Sequence, residues 1–145
     1  MSFSFVPEYF YNQSGVIPYR EKKGVLQVLL VTSRKKGKWI IPKGVVEPYM
    51  TARESAAQEA YEEAGVFGEV WSEPVGSFEM DKWDGVCSVA VYPMHVEKIY
   101  ENWMESGFRK RRWMSPEKAL DKCGNKEMKK MIKLFLKAYE VRSEV

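Results

Sequence analysis

Soft metal ligands and redox chemistry are almost absent from this chain. Its 145 residues include one histidine and two cysteines. Cys87 and Cys123 form no metal or redox spacing and imply no disulfide framework, so a reducing cytoplasm is the expected setting. His95 follows an apolar run with no second His or Cys beside it, which suits a structural imidazole better than a catalytic one. No apolar stretch approaches the roughly 20 residues of a membrane span. Met1–Arg20 lacks the basic start and apolar core of a signal peptide, so none is expected. The net charge of +3 is mild and singles out no partner. With no internal repeat and no linker, residues 1–145 read as a single domain. Hydrophobic content of 45% and charged content of 30% fit a globular protein rather than a disordered one.

What is present is organised around Pro42–Val66, which falls into a loop, a helix and a stop. Pro42, Gly44 and Pro48 make residues 42–50 a poor helix and a poor strand. Thr51 followed by Glu54 reads as a capping box. Ala52–Ala64 then holds strong helix formers, and Gly65 sits where a left-handed C-cap residue is wanted. At 100° per residue, Glu59, Glu62 and Glu63 share one arc of that helix, while Ala56, Ala57, Ala60, Tyr61 and Ala64 fill a neighbouring arc that suits a sheet. No Lys or Arg stands three or four residues from any of the three glutamates, and Glu59 and Glu63 repel by roughly 0.2–0.5 kcal/mol. A solvated face usually mixes signs, and this one does not. A hard divalent cation such as Mg²⁺ takes oxygen ligands and would relieve the repulsion, so the trio is a candidate metal site.

Around it, residues 15–20 and Val25–Thr32 read as strands joined by a loop at 21–24. The near-continuous apolar run 26–31 marks a central strand buried on both faces. A basic loop, 33–38, precedes a short strand at 39–41. After the helix come one bent or two short strands over 66–78, a turn at 81–85, a valine-rich strand at 86–96, an irregular stretch at 99–107 and a strand at 108–114. Ser115-Pro116 starts a helix, and 125–141 is an amphipathic closing helix with Met128, Ile132, Phe135 and Leu136 on one stripe. Strands, one helix, more strands and terminal helices suggest an α+β sandwich with a mixed sheet. The aromatic arm Phe3, Phe5, Tyr9, Phe10 and Tyr11 is extended in this reading, and could pair across a homodimer. Trp39 and Trp113 read as core or rim residues, and Trp83, in a turn, as a surface on which a base could stack.

Gly44, Met50, Gln58-Glu59-Ala60, Glu62-Glu63 and Gly65-Val66, in this spacing, resemble the Nudix box. Two positions depart from it: Met50 stands where that family has Glu, and Gln58 where it has Arg. Residues 15–20, 32–34, 38–42 and 109–113 are similar to the diphosphoinositol polyphosphate phosphohydrolase branch. The resemblance implies a Nudix-type α/β/α sandwich and metal-assisted attack of water on a phosphoanhydride, with Mg²⁺, or Mn²⁺, held by Glu59, Glu62 and Glu63 and by the carbonyl of Gly44. It further implies phosphate contacts from Arg20, Ser33, Arg34, Lys38, Lys43 and Arg109, cations or donors suited to a phosphate chain. The expected ligand is an anionic small molecule bearing phosphates: a diphosphoinositol polyphosphate, a dinucleoside polyphosphate, a nucleoside triphosphate or a capped RNA. A general nucleic-acid patch at 109–112 is disfavoured, because strand alternation splits those four cations over two faces. The general base is open among the box glutamates, Glu79 and Glu97. Losing one member of the loop-Glu and helix-Arg pair would strand a charge, whereas losing both leaves no orphan, so Met50 and Gln58 read as a coordinated replacement. The competing reading is a catalytically weak binding or regulatory module on the same fold.

Overall fold

A computed structural model describes residues 6–143, so Phe3 and Phe5 of the aromatic arm lie outside the described residues. In chain order, a 3-10 turn (Glu8–Tyr11) leads into β1 (Asn12–Lys22), β2 (Val25–Thr32), β3 (Trp39–Ile40) and β4 (Lys43–Val45). Helix α1 (Ala52–Glu59) runs into a π-helical turn (Ala60–Ala64). Then come β5 (Val66–Val70), β6 (Gly76–Lys82), β7 (Gly85–Ile99), β8 (Arg111–Met114), α2 (Pro116–Lys122) and α3 (Lys126–Ser143).

β1 and β7 form the spine, running parallel with Asn12 opposite Ser88 and Tyr19 opposite His95. The other edge of β7 takes β6 along its first half and β5 along its second. β1 pairs antiparallel with β2 only from Tyr19 to Lys22. From Gln13 to Gly15 that same edge pairs with β4 instead, while the far end of β2 pairs with β3. The two strands therefore part, and residues 39–45 are wedged between them. The loop expected at 42–50 thus contains a strand, because its backbone groups must be satisfied inside the wedge.

Both faces of this sheet are covered. Val16, Leu29 and Val31 face Ala56, Ala60 and Ala64 of the helix, with Val66, Val70 and Met94. Their neighbours Ile17, Val28 and Leu30 face the opposite way, onto Ala119 of α2 and Met128, Met131, Ile132 and Phe135 of α3. That is why 26–31 reads as a continuous apolar run: successive residues enter two different cores. The result is the α/β/α sandwich with a mixed sheet that the sequence suggested.

The hairpins are tighter than their sequences imply. Lys23 and Gly24 alone join β1 to β2, and Trp83 and Asp84 alone join β6 to β7, all four at positive φ as a two-residue twisted turn demands. Trp83 holds that conformation among aromatics: its carbonyl accepts from the Tyr11 hydroxyl at 2.6 Å, and its ring lies 5.2 Å from Phe10. Phe10, Tyr11 and Trp83 therefore pack together within one chain, and Glu8–Tyr11 is a 3-10 turn rather than an extended arm.

The capping box forms in full. The Thr51 hydroxyl accepts from the Glu54 amide at 3.1 Å, and the Glu54 carboxylate accepts from the Thr51 amide at 2.9 Å. Thr51→Ala is expected to cost about 1 kcal/mol of stability, seen as a lower urea midpoint at unchanged m-value.

Candidate active site

The wedge between β1 and β2 delivers Gly44 to the underside of the helix that carries the glutamates. A Cβ built on Gly44 would collide with the Glu59 carboxylate. Glycine is thus required here for close approach rather than for unusual φ. Glu63 is 6% exposed; its carboxylate accepts from the Lys43 amide at 3.3 Å and faces the Arg109 guanidinium at 3.7 Å. Glu59 and Glu63 share a hydrogen bond. Burial, then the Glu63 charge beside it, pushes the Glu59 carboxyl up to about 9. Burial raises Glu63 as well, against the pull of Arg109. Two carboxyls this close, out of water, cannot ionise independently of each other.

Glu62 is directed elsewhere. Its carboxylate accepts from the Gln58 amide at 2.8 Å, along the helix. The three glutamates therefore do not meet at one point: Glu59 and Glu63 converge over Gly44, and Glu62 is held to one side. Gln58 makes no bond to the loop that carries Met50. Loop and helix are braced instead by the buried Ser55 hydroxyl, which donates to the Val45 carbonyl at 3.3 Å, and by the Lys43–Glu63 contact.

Glu63 lies in the wall of a cleft of about 590 Å³, a size typical of small-molecule sites. Four of the six sequence-predicted phosphate contacts, Ser33, Arg34, Lys38 and Lys43, meet there, and Lys35, Lys36 and Lys82 join them. The basic loop is closed on itself: the Ser33 amide donates to the Lys38 carbonyl at 2.7 Å, the Lys38 amide donates back to the Ser33 hydroxyl at 3.0 Å, and Gly37 supplies a positive φ. Lys43 is half-buried; its ammonium donates to Gln13 at 3.2 Å, and burial, then Lys82, holds its pKa below the usual lysine range.

The other two predicted contacts behave differently. Arg109 reaches the cleft, but its side chain is 8% exposed and fully engaged: it donates to the Thr32 carbonyl at 2.8 Å and pairs with Glu105 at 2.5 Å as well as facing Glu63. It serves as counter-charge to the carboxylates. Arg20 does not reach the cleft at all. It lies where β1 and β2 do pair, bonded to Gln27 at 2.8 Å and stacked 4.2 Å over Trp113. Neither general-base candidate outside the helix lines the cleft: Glu79, in β6, opposes Ser88 of β7, and Glu97 borders a separate groove with Arg53. His95 stacks on Tyr19 at 5.1 Å, away from the glutamates. Sequence reasoning passed over Lys82, which a hairpin brings in from far along the chain, and Glu105, whose spacing from Arg109 was the available signal.

Among the described residues, no three acidic, imidazole or thiol groups converge into a closed metal cage. The carboxylate pair nonetheless fits a hard cation. Glu59 occupies the space a side chain at position 44 would need. The buried Ser14 hydroxyl opposite Gly44 in the β1–β4 register has no protein partner. An open site with few protein oxygens and unspent polar groups suits an ion that keeps several waters, as Mg²⁺ does.

Comparison with known proteins gives the family and the fold. The profile of the NUDIX domain family matches residues 12–135. Nudix hydrolase 21, chloroplastic, of Arabidopsis thaliana is 35% identical over 128 residues, covering 84% of this chain and 64% of its own length. Diphosphoinositol polyphosphate phosphohydrolase 3-alpha of Homo sapiens is 32% identical over 119 residues, covering 81% and 71%. A binary complex of C. elegans Ap4A hydrolase superposes with a TM-score of 0.72 at 20% identity, over 89% of this chain and 97% of that one, a likeness of fold.

Gly44→Ala should displace the Glu59 carboxylate and weaken Mn²⁺ binding by about 10–100-fold, measured by calorimetry. Gln58→Arg alone should lower the melting temperature or the activity, and adding Met50→Glu should restore it; simple additivity of the two changes would refute the coordinated replacement.

Proposed function

The chain belongs to the NUDIX domain family, and on that premise we propose that it is a divalent-metal-dependent hydrolase of a phosphoanhydride bond in an anionic, phosphate-bearing small molecule. The observation that carries this reading is the cleft itself. Arg34, Lys35, Lys36, Lys38, Lys43, Lys82 and Arg109 line one cavity with Glu63 at its wall, although the whole chain carries a net charge of only +3. Such a concentration of cations focuses a positive potential on one ligand site.

Glu59 and Glu63, with the Gly44 backbone, would hold Mg²⁺ or Mn²⁺, and Glu62 completes the set once the Gln58 amide releases it. When bound, such an ion neutralises phosphoryl oxygens and lowers the pKa of water. The chain's own residues do the rest. Lys38, Lys43 and Arg34 grip the phosphate chain, Lys as point charges and Arg as a planar fork. Arg109 holds Glu63 in place. Burial favours the protonated form of both carboxyls, so a bound cation would compete with protons for them.

Among substrates, a diphosphoinositol polyphosphate or a dinucleoside polyphosphate fits best, because six cations besides the engaged Arg109 match a dense anion better than a single diphosphate. Arg109 and Arg111 turn inward while Lys110 and Arg112 are exposed, so 109–112 offers no continuous nucleic-acid patch; a capped RNA enters only as a small-molecule-like end. For the compartment we keep the cytoplasm, Cys87 and Cys123 being free and buried; no helix among the described residues is long and apolar enough to cross a membrane. One observation favours the second reading, a weakly catalytic binding module: Gln58 ties up Glu62.

A panel of phosphoanhydrides with Mg²⁺ or Mn²⁺ separates the two. For the hydrolase, turnover of at least one compound should vanish with a chelator and fall at least about 100-fold, roughly 2.7 kcal/mol of barrier, in Glu63→Gln and Glu62→Gln. Tight binding of panel members without turnover would establish the module instead.

A further inference from the structure

The last carbonyls of a helix have no partner within it and must find one elsewhere. At the end of the glutamate helix all of them find it in a single distant stretch. The Glu62 carbonyl accepts from the Glu105 amide at 3.2 Å. The Glu63 carbonyl accepts from the Trp103 indole N–H at 3.0 Å. The Ala64 carbonyl accepts from the Arg111 guanidinium at 2.9 Å, and the Gly65 carbonyl accepts from that same nitrogen at 3.3 Å and from the Tyr100 amide at 2.9 Å. Arg111 in turn lies flat on the Trp103 ring, 3.9 Å from its centroid. A side chain at Gly65 would strike both.

This grip falls on the π-helical turn, Ala60–Ala64, that carries Glu62 and Glu63. A π-turn has the wider i→i+5 bonding and occurs mostly as a single turn, often where a function needs it. Relaxing it to α-helical bonding would rotate the following residues by a large part of the 100° that separates neighbours on a helix. Glu63 would then swing away from Glu59, from the Lys43 amide and from Arg109. Four carbonyls held in order by one external segment oppose that rotation. The guanidinium also places a positive charge at the negative end of the helix, where it is favourable.

We propose that Trp103 and Arg111 are positioning residues that lock the π-turn in register and so aim the Glu63 carboxylate at Glu59; this rests on the hydrolase reading above. Neither residue lines the cation-rich cleft. The same segment continues into that cleft through Arg109, which holds the Glu63 side chain while Trp103 and Arg111 hold its backbone. Side chain and main chain of one glutamate are thereby fixed from one stretch of chain.

The variants Trp103→Phe, which keeps a ring beneath Arg111 but removes the N–H, and Arg111→Met, which keeps the apolar stem, test this. Both should accelerate amide exchange at residues 62–65 while leaving residues 52–58 protected as in the wild type. Both should weaken Mn²⁺ binding, read by calorimetry, by about tenfold, and lower kcat with KM for the substrate unchanged. Arg111→Lys, which can still donate to one carbonyl, should recover part of the Mn²⁺ affinity. Unchanged exchange at 62–65, or faster exchange with wild-type Mn²⁺ affinity, would overturn the proposal. If the wild-type chain binds no Mn²⁺, the hydrolase reading fails, and exchange at 62–65 alone decides whether the grip exists.

Discussion

Two carboxyl groups forced together out of water set the terms for the rest of this structure. Glu59 lies against Gly44 and Glu63 against the Lys43 amide, where β1 and β2 part. In that setting neither can ionise freely, and Glu59 is pushed up to about 9. Burying an unpaired carboxylate costs several kcal/mol, so the fold must supply partners, and it supplies few. Besides the hydrogen bond it shares with Glu59, Glu63 has one backbone amide from Lys43 and one engaged guanidinium from Arg109. The unused capacity of these oxygens, beside the orphan hydroxyl of Ser14, is what a divalent cation would consume. Stability foregone at this point is the physical condition for a metal-dependent site.

The remainder of the molecule holds the pair in place. The wedge of residues 39–45 exists because β1 exchanges one partner for another along a single edge. Without that splay, Gly44 could not pass beneath Glu59. On the other side, alanines at 56, 60 and 64 let the helix sit close on the sheet, and a larger residue there would lift the glutamates off the loop. Charge is arranged in the same way. Glu63 lies in the wall of the cleft and the lysines ring it, so the positive potential there draws a polyanion towards that carboxylate.

Much of this was legible in the sequence, and what was not has definable causes. The capping box at Thr51 and Glu54, the stop at Gly65 and the doubly buried strand at 26–31 depend on neighbours within a few residues, and local chemistry determines them. The three glutamates were visible as a like-charged arc. Their division into a converging pair and a Glu62 tied to Gln58 was not, because helix periodicity gives direction but not which oxygen finds which donor. The π-turn distorts that periodicity just where it matters. Arg20 went astray for a related reason: it lies at the end of β1 where β2 is still paired, about five residues of strand from Gly15, or roughly 17 Å. Lys82 and Arg111 arrive through pairings formed across tens of residues, which no single-sequence pattern records.

The two departures from the family motif can now be placed. If Met50 and Gln58 stood for the loss of a brace, the loop should have come away from the helix. It has not. Ser55 holds Val45, Glu63 holds the Lys43 amide, and Gly44 lies against Glu59 without room for a methyl group. Loop and helix are joined by partly buried contacts near the carboxylates, with no charged pair at 50 and 58. What changes is the freedom of Glu62: with no arginine at 58, it is bound to a neutral amide, a weaker contact than an ion pair and one that can be given up to a cation. In the proposed hydrolase that leaves Glu62 available to join the converging pair on a cation, and the chemistry would depend on how readily Gln58 lets go.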